Sequence, residues 1–183
     1  DNIIDAGGSG SDNMSGYLIG WSENTIYTVF PKGSTAGLTH TDLGLDDVVD
    51  AAGNQLRVYK DMFKLKCGLV VADWRFGVRI ANIDTSDLIA QTGTQAASAA
   101  TSLIKCMSRS IDHIPNPDGV TLVFYFNRTA LSYLRVAALD KSNSAVTIEP
   151  AINQFGKSIF QMMFLGIPVR IVDRLINTEA RVV

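Results

Sequence analysis

The sequence predicts an α+β fold on three observations. Short β-rich runs outnumber helical patterns, and the helices fall among the strands in no regular strand–helix–strand order. One run, residues 120–126 (VTLVFYF), is apolar on both faces, the pattern of a central strand covered on both sides. The chain has 183 residues, one domain or two small ones. A chain of this size buries roughly 70% of its unfolded surface, so a sizeable core is available.

From the N-terminus, Asn2-Ile3-Ile4 reads like the interior of a fold. With Asp1 in place of an initiator methionine, the chain reads as processed or as a fragment of a longer protein, and the fragment is favoured. Residues 5–16 (DAGGSGSDNMSG) predict a flexible loop. They lack the Gly-Lys-Ser/Thr ending and following helix of a phosphate-cradling loop. Residues 17–21 and 25–30 predict a hairpin around Ser22-Glu23-Asn24, ended by Pro31-Lys32-Gly33-Ser34. Residues 33–46 predict a polar loop. A second hairpin is expected over 47–59, turning at Ala51-Ala52-Gly53-Asn54. Over 62–71, Leu65, Cys67, Leu69 and Val71 alternate with Lys64 and Lys66, predicting one long strand. Beyond Asp73-Trp74, Phe76, Val78 and Ile80 alternate with Arg75 and Arg79. Lys64, Lys66, Arg75 and Arg79 are thus a candidate basic stripe on one sheet face, either solvated or a subunit contact.

Residues 86–114 carry the longest helical pattern, with Ala100, Leu103, Met107, Ile111 and Ile114 three or four apart. Gly93 divides a short first helix from a longer one starting near Thr94, and Pro115 and Pro117 end it. After strand 120–126, Asn127 is placed to cap a helix over 128–140 with Leu131, Leu134 and Ala138 inward. Residues 140–143 read as a loop. Val146 to Ile148 and residues 159–165 read as short strands. Pro168 holds Ile167 extended, and Val169 and Ile171 alternate with Arg170 in a strand reaching Asp173, its two aliphatics toward a core.

Composition narrows function. Hydrophobic residues make up 46% and charged residues 19%, a low charged share that favours a protein hiding surface in an assembly. A net charge of −2 argues against a protein whose task is gripping nucleic acid. No apolar run approaches the ~18 residues of a membrane span. Cys67 and Cys106 sit among apolar neighbours and read as buried reduced thiols.

The chemistry-bearing residues form no catalytic pattern. His40 lies in a predicted loop with no strained serine elbow nearby. His113 sits at a helix C-terminus, where an imidazolium favours the dipole. Cys67, Cys106, His40 and His113 lack the paired two-to-four-residue spacing of structural zinc sites. Asp42, Asp46, Asp47 and Asp50 lack the order of a calcium loop. No catalytic, cofactor-binding or metal residue is assigned, and no cofactor is expected.

Four segments in order carry a resemblance: Pro31-Lys32-Gly33-Ser34-Thr35-Ala36-Gly37-Leu38; Asp73 through Asp84 (DWRFGVRIANID); Phe124-Tyr125-Phe126-Asn127-Arg128-Thr129 with Leu134 and Arg135; and the closing run 166–183. Together they resemble the major capsid proteins of short-tailed bacteriophages, which adopt the Hong Kong 97-type shell fold. The resemblance implies a structural subunit of an icosahedral shell, not an enzyme, assembling into pentamers and hexamers around a genome. It implies mainly peripheral-domain strands and hairpins over 1–84, axial-domain helices and central strand over 85–158, and a return strand over 159–183. Such proteins carry an N-terminal arm and an extended hairpin, and the sequence reading finds neither. The implied partners are copies of itself, with scaffold and portal proteins, packaged DNA held only non-specifically, and no membrane. The implied location is the virion capsid, assembled in host cytoplasm. Two alternatives remain open: a hydrolase using loop 33–50 with His40 and Asp42, and a cellular encapsulating shell of the same fold. Residues 175–183 have no cap and no core of their own, so they are expected to pack on a neighbouring element, in this subunit or the next.

Overall fold

A computed structural model of the chain describes residues 2–90, 100–138, 146–152 and 158–182. Its class is mixed α+β, as expected. The chain divides into two units, residues 1–26 with 72–183, and residues 27–71.

The larger unit is built on a sheet. Its described strands are β1 (Ile3–Asp5), β2 (Asn13–Trp21), β7 (Gly77–Asp84), β8 (Thr121–Phe126), β9 (Val146–Ile152), β10 (Ser158–Phe164) and β11 (Ile167–Ile171). They lie in the order β1-β7-β2-β8-β11-β10-β9. β8 is central, antiparallel to β2 and parallel to β11. One sheet face forms the core. Met14 and Leu18 of β2, Val78 and Ile80 of β7, Phe124 and Phe126 of β8, Val169 of β11 and Phe164 of β10 are all buried there. Helices α2 (Ala100–Asp112) and α3 (Arg128–Ala138) close it with Leu103, Met107, Leu131 and Leu134. The aromatic centre is Phe124, edge-on to Phe164 at 5.8 Å between ring centres. Full burial of each such side chain contributes about 1.5–3 kcal/mol. Gly16 of β2 is part of this packing, since a Cβ there would lie 2.1 Å from the Phe126 ring.

Helix signals read from sequence hold well. The Asn127 Oδ1 accepts from the Thr129 N–H at 3.0 Å, capping α3. A short α1 (Thr85–Ala90) precedes α2. The expected division at Gly93 and Thr94, and the loop at 140–143, lie outside the described residues.

Several strand expectations are corrected. The loop predicted over 5–16 ends earlier, because Asn13, Met14, Ser15 and Gly16 begin β2 and are buried by β7 beside them. Strands 17–21 and 25–30 do not form a hairpin. β3 (Ile26–Val29) meets β2 at one parallel position, Trp21 with Ile26, and pairs with β6 (Gly68–Val71). Thr25 turns the chain there, its Oγ1 donating to the Gly20 carbonyl at 2.8 Å. Val169 is buried as expected, but Ile171 at the strand's end is 38% exposed.

In the smaller unit, β4 (Leu38–Val49) and β5 (Gln55–Leu65) form a two-stranded antiparallel ribbon of 12 and 11 residues. The turn predicted at 51–54 is there, tied by Asp50, whose Oδ1 accepts from the Ala52 and Asn54 N–H groups. The predicted loop 33–46 is instead mostly strand. It hid because neither ribbon face is buried, so selection left no clean alternation. A hairpin was expected only over 47–59, and the observed pairing is longer, running from Leu38 with Leu65 to Val49 with Gln55. The single strand expected over 62–71 breaks after Leu65, and Cys67 is exposed, not buried. Cys106 is buried as expected.

Two substitutions test this account. Gly16→Ala should cost about 1–3 kcal/mol through overpacking against Phe126, read as a lower midpoint in denaturant unfolding. Gly166 has φ +79° with open space around its Cβ position, so strain alone acts there. Gly166→Val should lower Tm by an amount corresponding to about 1–3 kcal/mol, and an unchanged Tm would refute the strain.

Candidate assembly surfaces

His40 and Asp42, the pair weighed for hydrolysis, do not meet as base and orienter. His40 Nε2 lies 2.9 Å from Asp61 Oδ1 across the ribbon, and its ring stacks on Phe63. Asp42 Oδ1 instead accepts from the Gly44 N–H at 2.7 Å, inside a bulge where register shifts between Asp42 and Leu45. Gly44 has φ +72°, the left-handed conformation such a bulge uses.

The other acids are accounted for by neighbours. Asp46 pairs with Lys60 at 2.9 Å, which holds its carboxyl below the ordinary range. Asp47 faces Arg57 at 3.8 Å. The Asn54 N–H and side chain hold the Asp50 carboxyl down as well. Among the described residues no group of three or more His, Cys, Asp or Glu is placed to hold a metal. No helix among them is long and apolar enough to cross a membrane. His113 follows α2 as an exposed residue, its backbone N–H bonded to the Arg109 carbonyl.

The basic stripe is not one stripe. Arg79 is in β7 and Lys64 in β5, which belong to different sheets. Arg75 is held by Asp73 at 2.7 Å.

What the chain does present is unburied apolar surface. On the ribbon, Tyr59 is 81% exposed and Phe63 67%. Leu45, Val48, Val49 and Leu56 are also exposed toward the turn. The pairing places Leu38, His40, Leu45, Tyr59, Phe63 and Leu65 on one ribbon face and Val48, Leu56, Val58 and Met62 on the other. A two-stranded hairpin alone is marginally stable in water. Both faces are exposed along nearly their whole length.

The larger unit has a second such surface on the sheet face turned from the helices. Tyr17, Ile19 and Trp21 of β2, Tyr125 of β8, and Val172 and Leu175 line a hollow of about 280 Å³. Trp21 Nε1 donates to the Tyr125 hydroxyl at 2.9 Å, with the rings edge-on. The indole N–H thus has its partner within the hollow.

The C-terminal segment finds its partner in this same subunit. Asn127 Nδ2 donates to the Leu175 carbonyl. The Glu179 N–H bonds the Asn13 carbonyl at 2.9 Å. The Glu179 carboxylate accepts from Ser15 Oγ and from Arg79 Nη2, the latter at 3.1 Å. Asn82, left-handed at φ 58° where β7 bulges, bonds both the Val182 carbonyl and its N–H. Asn82 also donates to Asp5, which lowers the Asp5 carboxyl. No sequence signal marked this clasp, because its members are 100 and 164 residues apart. Glu179→Ala should lower stability by about 1–3 kcal/mol by stranding Arg79. It should also speed hydrogen exchange at the Glu179 and Val182 amides, and unchanged exchange would contradict the clasp.

The model of one family, described as Major capsid protein GP7, matches residues 1–183. No curated protein matches the chain.

Proposed function

We propose a mode of assembly for this chain, which belongs to the family of Major capsid protein GP7 and is a structural subunit of a phage capsid. It adopts the Hong Kong 97-type arrangement and forms pentamers and hexamers of an icosahedral shell. Residues 1–84 act mainly as peripheral-domain strands and hairpins, residues 85–158 as the axial part, and residues 159–183 as the return strand. The N-terminal arm and extended hairpin of that arrangement lie outside this chain, and the β4–β5 ribbon is a further arm that reaches a neighbouring subunit.

The observation that carries the reading is the ribbon itself. It holds exposed Leu, Val, Tyr and Phe side chains on both faces, which a lone subunit leaves in water. Large permanent interfaces are comparatively apolar, and the ribbon offers exposed apolar side chains to one. Rings of five or six copies need two different surfaces on each subunit that complement one another. Scaffold and portal proteins are further partners in this reading, packaged DNA is enclosed with only non-specific contact, and assembly takes place in host cytoplasm.

Negative-stain microscopy of the full-length protein checks the proposal. Shells, rings or tubes are expected under assembly conditions. Monodisperse monomers alone would overturn it.

A further inference from the structure

We infer that the aromatic hollow on the open sheet face is the receptor for the ribbon turn of a second copy. The inference rests on the reading that the ribbon is an intersubunit arm, and it names where the arm lands. Three observations support it.

The first is chemical character. The hollow is lined by Tyr17, Ile19, Trp21, Tyr125, Val172 and Leu175, and its Trp21–Tyr125 hydrogen bond is already made. Such a surface takes apolar side chains. The second is size. A cavity of roughly 150 Å³ holds a benzene, and this hollow is about 280 Å³. Branched aliphatic side chains fit it, and the ribbon turn is flanked by exposed Val48, Val49 and Leu56.

The third is charge. Arg170 is exposed on β11 at the position paired with Tyr125, and exposed Arg174 adjoins Leu175. Neither makes an ion pair among the described residues. On the ribbon, Asp46 and Asp47 have cations, whereas Asp50 at the turn has only amide donors. An apolar turn carrying an uncompensated carboxylate thus matches an apolar hollow rimmed by two uncompensated guanidiniums. Opposite charges at a rim guide orientation more than they add affinity. The contact is head-to-tail, because ribbon and hollow are different surfaces, and head-to-tail contacts form rings when the rotation between copies closes.

The test is a charge reversal with rescue in the full-length protein. Arg170→Glu with Arg174→Glu should cut the yield of sedimenting particles about tenfold while leaving the subunit's Tm unchanged. Adding Ala51→Arg with Ala52→Arg to the same chain, which leaves Asp50 to tie the turn, should restore most of that yield. Wild-type yield from the arginine variant, or no rescue by the turn arginines, would overturn the docking while leaving the capsid reading intact. Monomers from the wild-type protein would overturn both.

If the arginine variant fails to fold, a cross-link decides. Cys67→Ser chains carrying Ala51→Cys and Arg174→Cys are oxidised with copper phenanthroline after assembly. Ladders of covalently joined copies are expected, and monomers alone on a non-reducing gel would reject the assignment.

Discussion

A two-stranded ribbon has no interior. Each side chain of β4 and β5 faces water on one side or the other, whatever its chemistry. Hydrophobic burial is the main favourable term in folding and association, so a ribbon rich in leucine, valine and aromatics gains it only against something else. That constraint organises the molecule. The unit of residues 27–71 devotes its length to surface, and the unit built from residues 1–26 and 72–183 holds the buried core.

The core unit reflects a complementary asymmetry. Its helices cover one face of the sheet, with Phe124, Phe126 and Phe164 at the centre. The other face is covered in part by the closing segment, which is fastened mostly by polar bonds. Asn82 links two of these features, since the bulge that turns its backbone left-handed also aims its amide at Val182. The part left uncovered is aromatic and aliphatic. A subunit built to associate through extended contacts needs both a reaching element and a receiving one, and the chain contains a candidate for each.

Legibility from sequence followed burial. Strand β8, helix α3 with its Asn127 cap, and the alternation of Phe76, Val78 and Ile80 were readable because each has a buried face that imposes a period. The ribbon was misjudged for the same reason in reverse. Thr39, Thr41, Asp42, Asp46 and Asp47 look like loop residues because nothing on either side demands apolar alternation. Cys67 was placed inside by its apolar neighbours, yet Leu65, Leu69 and Val71 are themselves more than half exposed. The Glu179–Arg79–Ser15 clasp was invisible because its partners are far apart in the chain. The family resemblance, by contrast, rested on ordered segments and needed no period. It points to the capsid subunit where periodicity gives no sign of the ribbon.

The central claim is that the ribbon becomes buried only when copies assemble. Hydrogen exchange at the amides of residues 38–65, compared between intact particles and dissociated subunits, measures it directly. The account predicts strong protection in particles and fast exchange in free subunits, while the core strands β2 and β8 exchange slowly in both. Equal exchange of the ribbon in the two states would contradict it.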